Sequence, residues 1–313
     1  MNILFIYEYT NKSGLGHKSR CTALQDVFQS KGAKCHSIVS DFQSLKNNNK
    51  KFTSHIINFI KKKKIDLLVK DSNLLNYKWE KNISKFTKLL VITDDKQKKH
   101  FCDIYVNYHP NYLKEKDLKN LKNKNCLRLI GAKYTIIKKQ NTKKYFRCKK
   151  REIFIYMGGV DKKKIMFKLI KIFNQDIFDK YKKTYLLNSM HLKKIKILNS
   201  KNKKNVKFLS GNNYNLANYF KNSYLSITGG GVSMYEQLTL APRSIVIPQN
   251  PLQSSILRNF KSNYFLDLFC PINLLTEKKI LKVLNKKKIP KKNSSIFKDG
   301  KFLIYKKVKT YLK

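Results

Sequence analysis

The chain has 313 residues, a length that common domain sizes divide into two compact units of about 150 residues each. Its formal charge of +49 is typical of nucleic-acid-binding proteins, but only six of its 68 basic residues are arginine, the residue that makes bidentate contacts with bases and phosphates. Nucleic-acid binding is therefore disfavoured as the main role, although the positive field would attract an anionic nucleotide substrate.

The first apolar run, Met1–Tyr9, has no basic segment ahead of it, and no later run approaches the roughly 18 apolar residues that span a membrane. We therefore expect a cytoplasmic protein with neither a signal peptide nor a transmembrane helix. The cysteines are scattered without zinc-type spacing, and the pair His100 and Cys102 lacks further ligands. No metal site and no cofactor are predicted.

Short β-branched runs alternate with longer amphipathic runs, a pattern typical of βα units around a parallel sheet. The polar stretch Ser40–Lys51 is predicted to be a loop, and the lysine-rich Lys138–Arg151 a linker between domains. The sequence thus predicts an α/β protein with two Rossmann-like domains, at 1–140 and 150–313, that face a central cleft. The predicted strands are Ile3–Tyr7, Ala33–Val39, Asp66–Val69, Leu89–Thr93 and Ile104–Asn107, then Ile153–Tyr156, Thr184–Leu187, Val206–Leu209, Tyr224–Ile227 and Ser244–Ile247.

A glycine-rich turn follows the first strand and opens a helix. Gly14 and Gly16 allow a tight turn and a close approach to a ligand, and the helix N-terminus supplies free N–H groups. Ser19 stands where a dinucleotide-binding fingerprint has its third glycine, so that motif is excluded. His17 lies in the first helical turn, where an imidazole could act as a general base; a capping or packing role is equally open.

Two further glycine-rich segments follow strands in the second half of the chain. The later one exposes successive N–H groups at a helix start, where a diphosphate can bind, and a carboxylate one to two turns along could hold a ribose. The alternative for that carboxylate is a solvated helix residue. The first segment contains Gly158 and Gly159, followed by Asp161 as a helix cap, and the second contains Gly229, Gly230, Gly231, Ser233 and Glu236.

Carboxylates also follow two strands of the first half. Asp71 ends one predicted strand, and Asp94 and Asp95 follow the next. Ligands of open α/β sheets bind beyond the carboxyl ends of the strands, so these side chains could orient His17 or bind sugar hydroxyls. Capping of the next helix is the commoner fate of such an aspartate.

The collinear order of these motifs resembles a known family, the UDP-2,4-diacetamido-2,4,6-trideoxy-β-L-altropyranose hydrolases of pseudaminic acid biosynthesis. This family is related to spore-coat polysaccharide proteins and has a glycosyltransferase-B-like fold. The resemblance runs nearly end to end. Its matching positions are Gly14-Leu15-Gly16-His17 with Arg20, Asp71, Asp94-Asp95, Cys102-Asp103 with Asn107, Gly131, Tyr134, Met157-Gly158-Gly159 with Asp161, Glu236, Gln253 and Asp299-Gly300.

The resemblance implies metal-independent hydrolysis of a UDP-linked sugar with inversion at the anomeric carbon. In that reaction His17 would be the general base that activates water. It also implies two sets of binding residues. The substrate set would be Gly14, Gly16, Arg20, Asp71, Asp94, Gly158, Gly159 and Gln253, and the UDP set Gly229, Gly230, Gly231, Ser233 and Glu236.

Three positions depart from the family pattern. Asn73 replaces an aromatic residue after Asp71, Leu252 precedes Gln253 where an asparagine is usual, and Lys138 stands where the family has arginine. These positions would touch the sugar, so the exact sugar and its stereochemistry are left open.

Two other functions remain possible at this stage. A glycosyltransferase of cell-surface polysaccharide synthesis would share the fold and the early glycine-rich turn, but a lipid acceptor would need an exposed apolar patch, and the loops here are polar and lysine-rich. A non-catalytic basic nucleic-acid-binding protein is the second alternative. A small-molecule UDP-sugar is the expected partner.

Overall fold

The computed structural model describes residues 1–9, 15–40, 42–110, 113–138, 149–161, 163–187, 205–211, 214–260, 266–287, 297 and 299–313. It divides the chain into two compact units. The first unit comprises Met1–Lys139 and Ile296–Lys313, and the second comprises Gln140–Ser295. Each unit contains its own parallel sheet of six strands.

The first unit has the strand order β2-β1-β3-β4-β5-β6, with parallel neighbours throughout. Consecutive strands lie on opposite sides of β1, so the order reverses between β1 and β3, the point where open α/β sheets bind ligands. Its strands are β1 Asn2–Glu8, β2 Lys34–Ser40, β3 Leu67–Asp71, β4 Lys88–Ile92, β5 Ile104–Asn107 and β6 Leu127–Ile130. Its helices are α1 Gly16–Ser30, α2 Phe42–Lys63, α3 Tyr77–Ile83 and α9 Gly300–Tyr311, with 3-10 turns at Glu115–Asn120 and Ala132–Tyr134.

The central strand β3 is buried along its whole length, including the charged residues Lys70 and Asp71. A parallel strand covered by helices on both faces is normally a continuous apolar run, so these two charges need partners. Lys70 donates from Nζ to Glu80 Oε1 over 2.6 Å, and the same oxygen is 2.8 Å from His100 Nδ1. Phe101 donates its backbone N–H to the other Glu80 oxygen. This ion pair ties α3 to the sheet.

The last helix of the chain, α9, packs against α1 of the first unit. The rings of Tyr305 and Phe28 meet edge to face with centroids 5.3 Å apart, and Ile304 and Val308 are buried. Gly300, the first residue of α9, lies so close to the backbone of Thr135 that a Cβ there would overlap it. A glycine is therefore required where this helix meets the first unit.

The second unit has the strand order β12-β11-β10-β7-β8-β9, with its reversal between β7 and β10. Apolar residues of β7, β10 and β11 form its main core together with α4 and α8. Its strands are β7 Lys149–Tyr156, β8 Lys182–Leu187, β9 Val206–Ser210, β10 Ser223–Gly229, β11 Arg243–Ile247 and β12 Leu268–Phe269. Its helices are α4 Ile165–Phe173, α5 Leu216–Asn222, α6 Val232–Leu240, α7 Pro251–Arg258 and α8 Glu277–Leu284.

Several sequence predictions are confirmed at the level of individual elements. A strand lies at each predicted position, and Asp161 caps α4 by accepting the backbone N–H groups of Ile165 and Met166 over 2.8 Å. The five described cysteines are free thiols. Within the described residues, no helix is long and apolar enough to cross a membrane.

Three predictions about local organisation need correction or extension. The predicted loop Ser40–Lys51 is wrong, because α2 begins at Phe42 and its polar first turns extend a helix whose later apolar face is buried at Ile56 and Ile60. The short strands β6 and β12 were not anticipated. The domain predicted at 150–313 loses its last segment to the first unit because α9 packs there. Most of the predicted linker lies outside the described residues, which omit 139–148.

Glu80→Gln tests the buried ion pair. The substitution leaves Lys70 buried without its countercharge, so the free energy of unfolding should fall by about 3–5 kcal/mol. Urea denaturation measures the free energy of unfolding of each variant. Glu152→Gln is the control, because Glu152 pairs with the half-exposed Lys182 over 3.3 Å and should cost less than about 1 kcal/mol. Equal losses in the two variants would contradict a special role for the buried pair.

Candidate active site

His17 is the second residue of α1, at the carboxyl edge of the first sheet. Gly16 starts the helix, while Gly14 lies outside the described residues. The N-terminal residue Leu15 offers no side-chain cap, and Ser19 donates its N–H to the Leu15 carbonyl over 2.9 Å. The His17 side chain is 12% exposed, so it is held by the protein and still reaches solvent.

The imidazole of His17 is oriented by Asp71 at the end of β3. The two atoms His17 Nδ1 and Asp71 Oδ1 are 2.6 Å apart. Two groups contact this nitrogen: the Asp71 carboxylate, which can only accept, and Arg20 Nη2 at 3.0 Å, which can only donate. The shorter contact, to the ionised carboxylate, assigns the proton of a neutral ring to Nδ1 and leaves Nε2 as a lone-pair acceptor. Strands β1 and β3 are neighbours at the reversal point of the sheet, which explains how residues 54 positions apart meet.

Arg20 holds this aspartate in place from one helical turn further along α1. Its Nε donates to Asp71 Oδ2 and its Nη2 to Asp71 Oδ1, each over 2.8 Å. Burial raises the pKa of Asp71, but Arg20 and His17 outweigh burial and hold that pKa below its usual value. The carboxylate therefore stays ionised and can keep accepting the His17 proton.

The same guanidinium also binds Asp94, which follows β4. Arg20 Nη1 lies 2.8 Å from both oxygens of Asp94 and donates to the Tyr108 hydroxyl over 2.6 Å. His109 Nε2 is 3.0 Å from Asp94 Oδ1. Burial raises the pKa of Asp94, yet Arg20 and His109 lower it well below its usual range. Two histidine–carboxylate pairs thus share one arginine.

Asn73, one of the departures from the family pattern, belongs to the loop that follows β3. Its backbone N–H donates to Glu8 Oε2 over 2.9 Å, and Lys98 Nζ donates to its side-chain oxygen over 3.1 Å. Asp95 accepts the Gln97 N–H within its own turn. These groups shape the loops around the pair formed by His17 and Asp71.

In the second unit, the loops after β7 and β10 meet at the reversal point of the sheet. Gly158 has a φ of +92°, a conformation that favours glycine; Gly159 follows it. The Gln249 side chain, from the segment after β11, donates to the Met157 carbonyl. A Cβ at Gly229 would overlap the Gln249 carboxamide, so the contact requires glycine there.

The N-terminus of α6 is formed by the second of these loops. Gly231 is its N-terminal cap, with no side chain capping the helix, and Ser233 lies in its first turn. Gln253 Oε1 accepts the N–H of Gly230 over 3.2 Å and that of Gln249 over 2.8 Å. The N–H of Gly230 therefore already has an acceptor in Gln253. The backbone N–H donors of the first turn of α6 come next along the chain.

Glu236 lies on α6 and is only 8% exposed. The Tyr156 side chain, at the end of β7, interacts electrostatically with this carboxylate. Burial, with a smaller contribution from Glu236, raises the pKa of Tyr156 to about 12. The phenol thus stays protonated near neutral pH. Glu236 and Tyr156 therefore belong to the same edge of the second sheet as the glycine loops.

The structure brings the predicted residues together in two groups, one in each unit. The sequence interpretation missed three side chains that complete them. Tyr108 and His109 directly follow β5, and Gln249 follows β11 after a single proline. Ligands of parallel sheets bind beyond the carboxyl ends of the strands, so examining the residues after every strand would have found these three side chains. The first group contains His17, Arg20, Asp71 and Asp94, and the second contains Gly158, Gly229, Gly230 and Gln253.

Chemically, the first group can act as a general base, because a carboxylate orients its histidine. A histidine whose Nδ1–H is held by an ionised carboxylate can take a proton at Nε2, and the carboxylate stabilises the resulting imidazolium. Among the described residues, no group of three or more histidine, cysteine or acidic side chains is arranged to hold a metal ion. The second group offers backbone donors at a helix N-terminus, an arrangement suited to phosphate oxygens.

Comparison with known proteins supports the resemblance that the motifs indicated. A curated protein from Campylobacter jejuni, named UDP-2,4-diacetamido-2,4,6-trideoxy-beta-L-altropyranose hydrolase, is 28% identical over 177 residues. The match covers 54% of this chain and 64% of the relative, which is less than two thirds of the relative's length. No protein-family model matches the chain.

Solved structures confirm the predicted fold class, a two-domain α/β fold of the glycosyltransferase-B type. MurG of Acinetobacter baumannii matches with a TM-score of 0.62 at 9% identity, covering 99% of this chain and 100% of that chain. A UDP-GlcNAc 2-epimerase from Neisseria meningitidis, bound to UDP-GlcNAc, matches with a TM-score of 0.60 at 9% identity and the same coverage. At such identities the likeness concerns the fold alone.

Asp71→Asn tests the assigned tautomer. An amide can donate to Nδ1, which would move the proton of the neutral ring to Nε2 and remove the free acceptor. Long-range proton–nitrogen correlation spectra of protein labelled at its histidine nitrogens distinguish the two forms. We expect the His17 signals to change from the Nδ1–H to the Nε2–H pattern. Asp66→Asn, at the opposite edge of the same sheet, should leave them unchanged. An unaltered His17 pattern in Asp71→Asn would contradict the assignment.

Proposed function

We propose that this chain hydrolyses a UDP-linked diacetamido trideoxy sugar to the free sugar and UDP, in the cytoplasm, as a step of nonulosonic (pseudaminic) acid biosynthesis. The observation that carries the proposal is the contact between His17 Nδ1 and Asp71 Oδ1 at the reversal point of the first sheet. The name of the Campylobacter relative supports the substrate class. The fold, shared with an epimerase bound to UDP-GlcNAc, is compatible with it.

His17 is the general base of the proposed reaction. Its Nε2 takes a proton from a water molecule, and the water oxygen forms a bond with the anomeric carbon on the face opposite UDP. The bond between that carbon and the UDP oxygen breaks, and its electron pair leaves with UDP. Attack from the opposite face inverts the configuration at the anomeric carbon. Asp71 stabilises the imidazolium that forms.

The leaving diphosphate is assigned to the N-terminus of α6. The segment Gly229, Gly230 and Gly231 lets a ligand approach the backbone closely, and the first-turn N–H groups and the Ser233 hydroxyl can donate to phosphate oxygens. Since Gln253 already accepts the Gly230 N–H, its carboxamide is fixed with the nitrogen available as a further donor. These donors would stabilise the charge that develops as UDP leaves.

The ribose is assigned to Glu236. A carboxylate can accept two hydroxyl hydrogen bonds, and α6 carries Glu236 along the helix that starts at the diphosphate donors. Such a pairing would select a ribose over a sugar without hydroxyls. The proposal thus assigns the nucleotide to the second unit and the base to the first.

The first test follows UDP release from a UDP-linked diacetamido sugar by purified protein, with and without chelator and with and without an acceptor. We expect release without acceptor that survives chelation, and a fall in kcat of at least about 100-fold in His17→Ala. His55→Ala, an exposed histidine of α2, is the control. Unchanged turnover in His17→Ala would remove His17 from the mechanism. Release that requires an acceptor would favour a glycosyltransferase, and salt-sensitive binding of DNA or RNA without turnover a basic nucleic-acid-binding protein.

The second test measures nucleotide binding by calorimetry. Glu236→Gln should weaken UDP binding by about tenfold, because an amide oxygen accepts less strongly than a carboxylate. Wild-type protein should prefer UDP to 2′,3′-dideoxy-UDP, and the preference should shrink in the variant. Glu277→Gln, on the exposed first turn of α8, provides the control. Equal affinities of the wild type for the two nucleotides would show that the ribose lies elsewhere.

A further inference from the structure

The pair formed by His109 and Asp94 is the part of the first group that the proposed reaction does not use. His109 is 4% exposed and lies directly after Tyr108, whose ring is 4.8 Å from the imidazole at a tilt of 45°. Its backbone N–H donates to Asn107 Oδ1 over 3.2 Å, so the turn after β5 is also fixed. A buried histidine held on three sides is placed to orient its neighbours.

Arg20 connects this pair to the proposed base. Its side chain is 3% exposed and has five N–H donors in a rigid planar fork. The fork reaches both oxygens of Asp71 on one side, and both oxygens of Asp94 and the Tyr108 hydroxyl on the other. With its donors directed at these protein groups, Arg20 is built to fix carboxylates rather than to grip a sugar.

The two carboxylates differ in how firmly their surroundings fix them. The Asp71 side chain is 1% exposed, whereas that of Asp94 is 28% exposed and could turn toward water. The contact between His109 Nε2 and Asp94 Oδ1 opposes that rotation. If Asp94 turned away, Nη1 would lose two acceptor atoms and keep only the Tyr108 hydroxyl, so the fork would be less firmly fixed against Asp71.

We propose that His109 is a positioning residue that acts on His17 through Asp94 and Arg20. The proposal rests on the proposed function in that His17 is taken as the base. The order of contacts is His109 to Asp94, Asp94 to Arg20, and Arg20 to His17. Arg20 reaches His17 through Asp71 and also directly, with Nη2 3.0 Å from His17 Nδ1. The effect of His109 on the reaction therefore depends on an intact Arg20.

A double-mutant cycle tests that dependence. His109→Phe should lower kcat about tenfold and leave KM for the UDP-sugar within about twofold, since the loss concerns the base and not substrate contacts. His109→Gln can still donate a hydrogen bond to Asp94 and should retain most of the activity. In an Arg20→Met background, His109→Phe should have no further effect on kcat.

Two kinetic outcomes would overturn the proposal. A rise in KM with unchanged kcat in His109→Phe would mean that His109 contacts substrate. Fully additive effects of His109→Phe and Arg20→Met would mean that His109 acts by another route. Circular dichroism checks that each variant folds, and Asp94→Asn replaces Arg20→Met in the cycle if the latter does not fold.

Ring-nitrogen spectra of His17 without substrate provide a readout that turnover does not affect. His109→Phe should broaden or shift the His17 signals in the otherwise unchanged chain and should leave them unaltered in the Arg20→Met background. If the wild type hydrolyses no UDP-sugar, the proposed function fails while this experiment still decides the role of His109. His17 signals that are insensitive to His109→Phe would overturn the positioning role.

Discussion

Arg20 is buried between two carboxylates, and the site of the first unit depends on that arrangement. A guanidinium fork is one of the few groups that can satisfy four carboxylate oxygens at once, because its donors lie in one plane and point in different directions. Burial raises the pKa values of Asp71 and Asp94, and Arg20, together with the neighbouring histidines, lowers them below their usual range. An uncharged Asp71 would no longer hold the proton of His17.

The position of this arrangement follows from sheet topology. Because strand order reverses between β1 and β3, the loops beyond them diverge and leave room at the carboxyl edge. The first unit fills that place with charged side chains. The second unit, with its reversal between β7 and β10, fills the same place with glycines and the Gln249 side chain. One topology thus supports an acid–base group in one unit and backbone donors in the other.

Much of this could be predicted from the sequence, because strand ends and glycine turns have local signatures. The positions of His17, Asp71 and Asp94 at strand or helix ends followed from apolar runs and the parallel-sheet rule. The partners of Arg20 could not be predicted, since they depend on side-chain burial and on contacts between residues up to 88 positions apart. The polar start of α2 was mistaken for a loop because its sequence carries no apolar periodicity. The strand β12, of two residues, is too short to be distinguished by pattern, and the four-residue run of β6 is interrupted by the charged Arg128.

The return of α9 to the first unit makes the second unit an insertion within the first. During synthesis the chain completes the second sheet before the ribosome releases the residues that form α9. The helix α1, which carries His17 and Arg20, therefore lacks its packing partner until the second unit has been synthesised. The second unit is continuous in sequence, so it can begin to fold before the residues of α9 are synthesised.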